Sequence, residues 1–146
     1  MTIENCTHED LLIIRREIAS FWGNEGVLFA HHPMFIFEFG HTAFVIKENG
    51  QIIAYLFGFI SETGLTGYVH LIGVRQTHQK AGLGRMLYEH FATLVKARGC
   101  RTLKAITSPS NTDSVAFHKK MGMRVSPVYK NYSGEGEDRV IFEKEI

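Results

Sequence analysis

Two cysteines in 146 residues, Cys6 and Cys100, are too few and too widely spaced for a disulfide scaffold, and neither belongs to a C-x-x-C pair of the zinc or redox type. Both are therefore expected as free thiols, and no neighbouring pattern of histidine or carboxylate marks either one as a nucleophile. Long hydrophobic runs are also missing. The longest, Ile52–Ile60, is interrupted by Gly58 and falls well short of the roughly 18 residues of a membrane helix. Residues Met1–Asn5 lack the regions of a signal peptide, so a cytoplasmic protein without membrane contact is expected. Charge of one sign is scarce too: the formal net charge is +1, which gives no electrostatic footprint for nucleic acid. His31-His32 has no third ligand at metal spacing, so no metal is expected.

What remains is an ordinary globular composition, 45% hydrophobic and 21% charged. The length suits a single domain, residues 1–146, with no repeat, linker or low-complexity tract.

Leu11, Leu12, Ile14, Ile18 and Phe21 recur at spacings near three and four, which predicts a helix from about Glu9 to Ser20 with Thr7 and Asp10 as a capping box. Trp22–Phe39 has no clean period and reads as irregular or short-helical. Asn49-Gly50 between the apolar runs Phe44–Glu48 and Gln51–Ile60 is a strong hairpin signal. With the run Tyr68–Val74 it makes a three-stranded antiparallel meander. Leu83, Met86, Leu87, Phe91, Leu94 and Val95 mark one face of a helix that starts at Gly82 and ends near Arg98-Gly99. Arg101–Thr107 follows as a strand, and a strand–helix–strand unit in one sheet is parallel and right-handed. A helix capped by Ser110 or Asn111 runs to about Met121 and is closed by Gly122. Met123–Tyr129 and Arg139–Lys144 complete the chain as two more strands. The class is α/β (α+β), with helices on both faces of a mixed sheet of about seven strands.

The chemistry concentrates after the Tyr68–Val74 strand. Gln79-Lys80-Ala81-Gly82-Leu83-Gly84 leads directly into a helix, and amides at a helix start, backed by the positive end of its dipole, bind anions. A second G-x-G, Gly134-Glu135-Gly136, lies in a polar loop and lacks this context. No G-x-x-x-x-G-K-[ST] string exists, and Leu87 occupies the third-glycine place of a dinucleotide fingerprint. Both nucleotide-binding readings fail.

Gln79–Gly84 is similar to the [RQ]-x-x-G-x-[GA] loop of the GCN5-related N-acetyltransferase (GNAT) family, and Asn111–Met123 is similar to that family's later N-x-x-[SA]-x-x-[FL]-[YH]-x-[KR]-x-G-[FM] segment. The two occur in the family's order, over an element pattern that agrees along nearly the whole chain. The resemblance implies an acetyl-CoA-dependent N-acetyltransferase in which amides of Gln79, Lys80, Ala81, Gly82, Leu83 and Gly84 take the pyrophosphate, beside the cations Lys80 and Arg85. It implies that the strand bulges, so that the pantetheine arm pairs near Ile72, Gly73 and Val74. Gly73 also fits a simple packing role. In the second segment Asn111 meets the cofactor or serves as a helix cap, Ser114 meets the cofactor, and Phe117 is core, cofactor wall or both.

Direct attack of an amine on a thioester benefits from a base and an acid near neutral pKa. Relatives place a tyrosine acid where this chain has His118, which reads as an imidazolium acid or as a structural histidine. The strand glutamate of some relatives falls on Tyr68, so no carboxylate base is inherited. His70, on the same strand face as Tyr68, is the substitute base or a core histidine. The acceptor pocket is expected from Trp22, Glu25, His31, His32, Phe35 and Glu38 with Tyr129, Tyr132 and Glu135, where Glu25 or Glu38 holds a cationic amine. Acetyl-CoA and an amine are the expected partners, with homodimerisation left open. A non-catalytic acyl-CoA sensor of the same fold is the alternative.

Overall fold

The computed structural model describes residues 1–146 and contains seven strands in one sheet of order β1-β2-β3-β4-β5-β7-β6. These are β1 (Thr2–Asn5), β2 (Ala43–Glu48), β3 (Gln51–Ser61), β4 (Thr66–Val74), β5 (Thr102–Thr107), β6 (Arg124–Val125) and β7 (Val140–Glu145). The helices are α1 (His8–Arg16), α2 (Ile18–Trp22), α3 (Met34–Phe37), α4 (Leu83–Ala97) and α5 (Thr112–Lys120). β4 and β5 run parallel, while β1–β2, β2–β3, β5–β7 and β6–β7 are antiparallel. The mixed sheet and the meander are as the sequence predicts. No helix is long and apolar enough to cross a membrane. By packing, the chain forms two compact units, Met1–Phe59 with Val69–Phe91, and Ile60–Tyr68 with Ala92–Ile146.

In the first unit the expected helix Glu9–Ser20 is divided. The Thr7/Asp10 capping box starts α1, Glu17 leaves helical geometry (φ −102°, ψ 20°), and α2 ends at Gly23 in the left-handed region (φ 79°). No glycine or proline announces this break; it coincides with capture of the Glu17 carboxylate by Arg75 at 2.9 Å. β1 gives no sequence signal, because it is a four-residue edge strand with no buried residue. Pairing with β2 and the Glu4–Lys47 contact at 3.1 Å define it. Asn49 (φ 51°) and Gly50 (φ 78°) form the hairpin turn, with two successive positive φ angles as a type I′ turn requires.

β3 is buried along most of its length because both its faces are covered. On one side Leu11, Ile14, Ile18, Phe21, Phe35, Tyr55 and Phe57 form the core. Leu83, Leu87 and Phe91 form the buried stripe of α4, whose His90 ring meets Phe44 edge-on at 4.6 Å. Each such side chain contributes about 1.5–3 kcal/mol by leaving water. Gly73 belongs to this packing: a Cβ there would stand 2.6–2.8 Å from the Tyr55 ring and hydroxyl. Gly73→Ala therefore overpacks a site with a rigid neighbour and is expected to cost about 1–3 kcal/mol, read from urea unfolding.

In the second unit the parallel register runs from Thr66↔Thr102 to Tyr68↔Lys104, with the two threonine hydroxyls 2.6 Å apart. β5 pairs along its full length with β7. The expected strand Met123–Tyr129 shrinks to Arg124–Val125 and one bridge, Tyr129↔Arg139. Pro127 has no N–H to give, and the Ser126 hydroxyl takes the Ile141 N–H at 2.9 Å in place of a backbone acceptor. Asn111 caps α5 by accepting from the Ser114 N–H, and Gly122 (φ 85°) follows its end.

Candidate active site

In the first unit, the segment after β4 is pinned before it turns. Arg75 is 6% exposed. Its backbone N–H donates to the Ile53 carbonyl (2.8 Å), its Nε to the Ile52 carbonyl (2.9 Å) and its Nη2 to Glu17, while the guanidinium lies 4.5 Å over the Phe21 ring. A 3-10 turn, Gln76–His78, follows, and His78 Nε2 meets Glu48 at 3.2 Å. Gln79 donates back to the Val74 carbonyl at 3.4 Å.

The chain then takes two left-handed steps, at Lys80 (φ 64°) and Gly82 (φ 80°), with open space where a Cβ of Gly82 would point. Leu83 is buried and anchors α4, whose first turn closes through Met86 N–H to the Gly82 carbonyl at 3.1 Å. The preceding amides of Leu83 and Gly84 have no acceptor within the helix. Lys80 and Arg85 are exposed beside them. Arg85 lies 3.9 Å from Glu89, a surface i,i+4 pair. Backbone N–H groups without an intrahelical acceptor, a helix dipole and the neighbouring cations fit a pyrophosphate.

His70 on β4 stacks on Phe35 (ring centroids 4.3 Å apart, 10° between planes), and its Nε2 lies 3.0 Å from the Ala30 carbonyl. A carbonyl only accepts, so Nε2 carries the proton and the neutral ring keeps its lone pair on Nδ1. Burial pushes its pKa below the ordinary histidine value. The half-buried positions Tyr68, His70, Ile72 and Val74 alternate with buried Gly67, Val69 and Gly73, apart from half-buried Leu71.

Behind this face is a polar chain that is directional throughout. The Trp22 indole donates to the Tyr55 hydroxyl (2.6 Å), and that hydroxyl donates to His31 Nε2 (2.6 Å). His31 Nδ1–H in turn donates to the Val27 carbonyl (2.8 Å). Trp22 is thus tied into the interior, Phe35 is the platform under His70, and Glu25 and Glu38 are exposed carboxylates. The adjacent histidines diverge: His31 is fully buried, whereas His32 is exposed and accepts the Met34 N–H.

Burial pushes His31 down to about 4 from 6.5. A histidine neutral when folded but free to protonate when unfolded contributes its stability fully above pH 6.5. That contribution drains away as the pH falls toward 4. At about 1.4 kcal/mol per pH unit the loss approaches roughly 3 kcal/mol. Thermal unfolding is expected to show Tm declining through this window, with a shallower decline for His31→Gln.

In the second unit His118 is 4% exposed, stacked on Phe142 (4.0 Å, 3°) and edge-on to Phe117. Its Nδ1 donates to the Ser114 carbonyl at 2.7 Å, with the Ser114 hydroxyl at 3.3 Å. Burial lowers its pKa. Nδ1 thus turns its proton to the helix backbone, and burial disfavours the charged ring. His118→Phe keeps the stacking and is expected to leave the pH–rate profile unaltered, costing about 1 kcal/mol of stability for the lost hydrogen bond.

Asn111 uses Oδ1 as the helix cap (3.2 Å to Ser114 N–H), leaving Nδ2 as an available donor. Tyr68 is half-buried, and desolvation, with Tyr132 nearby, pushes its phenol up to about 12, so it stays protonated. Tyr129 is 58% exposed and meets Tyr132 edge-on at 5.3 Å.

No motif in the sequence marks Tyr55 or Arg75. A tyrosine inside an otherwise apolar central strand needs a partner for its hydroxyl, which was the available signal. Ala30 acts through its carbonyl and leaves none.

The family model of the acetyltransferase (GNAT) family matches residues 10–123, and the chain belongs to that family. Among curated relatives, the [ribosomal protein bS18]-alanine N-acetyltransferase of Escherichia coli K12 is 28% identical over 89 residues. That alignment covers 61% of this chain and 59% of the relative, so the chain spans about three-fifths of the relative's length. A GNAT-family structure from Desulfovibrio desulfuricans superposes with a TM-score of 0.85 at 22% identity, covering 99% of this chain and 98% of that one. The structure of yncA from Salmonella typhimurium with its cofactor acetyl-CoA gives a TM-score of 0.70 at 19% identity, with 99% and 93% covered.

Proposed function

We propose that this acetyltransferase moves the acetyl group of acetyl-CoA to the α-amine of a protein N-terminus by direct attack on the thioester. The observation that carries the cofactor part is the double left-handed turn at Lys80 and Gly82, which opens backbone donors at the start of α4; yncA, of like fold, binds acetyl-CoA. The acceptor class rests on the E. coli relative, which acts on the alanine of a ribosomal protein.

In this mechanism the amine nitrogen bonds to the acetyl carbon, the C–S bond breaks, and the amine proton passes to the Nδ1 lone pair of His70, directly or through water. The thiolate departs and takes a proton from solvent. His70 suits the base because it is neutral at physiological pH and its tautomer is set by the Ala30 carbonyl. Amides near Ile72–Val74 hold the pantetheine arm. The acceptor is received by Trp22 and Phe35, with Glu25 or Glu38 attracting its positive charge before deprotonation.

The test is a thiol-release assay with acetyl-CoA against peptides with N-terminal alanine and a panel of polyamines, amino acids and aminoglycosides, run beside calorimetric titration of CoA. Turnover of the peptides supports the reading; turnover confined to a small amine moves the acceptor. One observation favours a second reading, an acyl-CoA sensor without turnover: the acid position of relatives is filled by the sequestered His118. CoA binding with no acetylation of any amine selects it.

A further inference from the structure

The short 3-10 turn Leu28–Ala30 is an unpromising support for a reacting group, because such turns have poor internal geometry. Here its carbonyls are fixed one by one. The Val27 carbonyl accepts from the Ala30 N–H (3.1 Å) and from His31 Nδ1 (2.8 Å). The Leu28 carbonyl accepts from the His31 N–H (3.0 Å) and from Arg15 Nη1 (3.2 Å), which also donates to the His31 carbonyl (2.8 Å). The Ala30 carbonyl takes His70 Nε2 at 3.0 Å.

We infer that His31 is a positioning residue for His70: anchored to Tyr55, it holds the turn so that the Ala30 carbonyl takes the Nε2 proton and leaves Nδ1 bare. This rests on the reading of His70 as the base. His31 is fully buried and spends both ring nitrogens on the task, one on the Tyr55 hydroxyl and one on the Val27 carbonyl. The ionisable groups around it are Tyr55 on β3, His70 on β4 and Arg15 on α1. Trp22 and Phe57 enclose it edge-on. A hydrogen bond to a carbonyl selects one imidazole tautomer only if the carbonyl does not move.

The test combines 15N imidazole NMR of the full chain with steady-state kinetics for His31→Phe and His31→Gln. In the native protein His70 is expected as the single Nε2-protonated tautomer. In His31→Phe, folded by its melting curve, His70 becomes a tautomer mixture and kcat falls about tenfold, part of the roughly 10²–10⁴ that a general base contributes, with KM for acetyl-CoA unchanged. His31→Gln, which returns an acceptor to the Tyr55 hydroxyl, restores the tautomer and most of the rate. Retention of the native tautomer in folded His31→Phe overturns the proposal, as does a rate loss that His31→Gln fails to rescue while the tautomer stays native. If His31→Phe does not fold, Tyr55→Phe removes only the anchoring hydroxyl and is read by the same spectrum, with an unchanged tautomer again overturning it. Should His70→Gln leave turnover intact, the base reading falls, while the tautomer of His70 still decides what His31 holds.

Discussion

A folded Gly82→Val variant is expected to bind CoA at least about tenfold more weakly than the native chain. Gly82 sits at φ 80° with nothing within 4 Å of a would-be Cβ, so the substitution meets no steric wall. It meets the backbone instead: a β-branched residue at positive φ costs on the order of 1–3 kcal/mol. The loop can escape that strain by leaving the left-handed region, which swings the amides of Leu83 and Gly84 off the anion. If it stays, the new side chain fills the open space the pyrophosphate would approach. Either route weakens the cofactor. Gly50 is the internal control, being at φ 78° with equally open surroundings in a hairpin turn. Gly50→Val should cost comparable stability and leave CoA affinity alone. Calorimetric titration of both variants reads the difference, and native affinity in folded Gly82→Val would remove the loop from the cofactor site.

That glycine was legible because its demand is local. The same holds for the Asn49-Gly50 turn, the Thr7/Asp10 capping box and the Asn111 cap, each a matter of a few consecutive residues and their own backbone bonds. The features that escaped are set by residues distant in sequence. Glu17 breaks the first helix where it binds Arg75, 58 positions away. β1 exists only through its register with β2, and β6 is cut short by Pro127 and the Ser126–Ile141 exchange. By sequence Gly73 suits a bulge or packing equally, and the Tyr55 ring beside it makes it a packing residue.

The histidines carry the same lesson for the site. His70 and His118 were similar on paper, each an imidazole beside a family motif. What separates them is the acceptor each Nδ1 or Nε2 finds. His118 points its proton at the Ser114 carbonyl one turn back in its own helix. His70 points its proton at the Ala30 carbonyl, 40 residues away on another element. A histidine's role follows from that partner, and only the fold supplies it.

The second large effect therefore belongs to His70. His70→Gln is expected to lower kcat by about 10²-fold or more, the ordinary contribution of a positioned general base, while acetyl-CoA affinity changes little. The pH dependence carries the sharper information. The native kcat/KM should rise with pH in two steps. The first lies below 6.5, where burial places the ionisation of His70, and the second lies near 8, where a peptide α-amine becomes neutral. His70→Gln should keep the second step and lose the first, because the amine must still be deprotonated to attack but no longer waits for the imidazole. Glutamine also forfeits the stacking on Phe35, so a melting curve must show the variant folded before its rate is read. An unchanged rate with both steps intact would return His70 to the core and leave solvent to take the amine proton. Loss of rate with the first step still present would mean that another group titrates there and that His70 serves only to shape the face of β4.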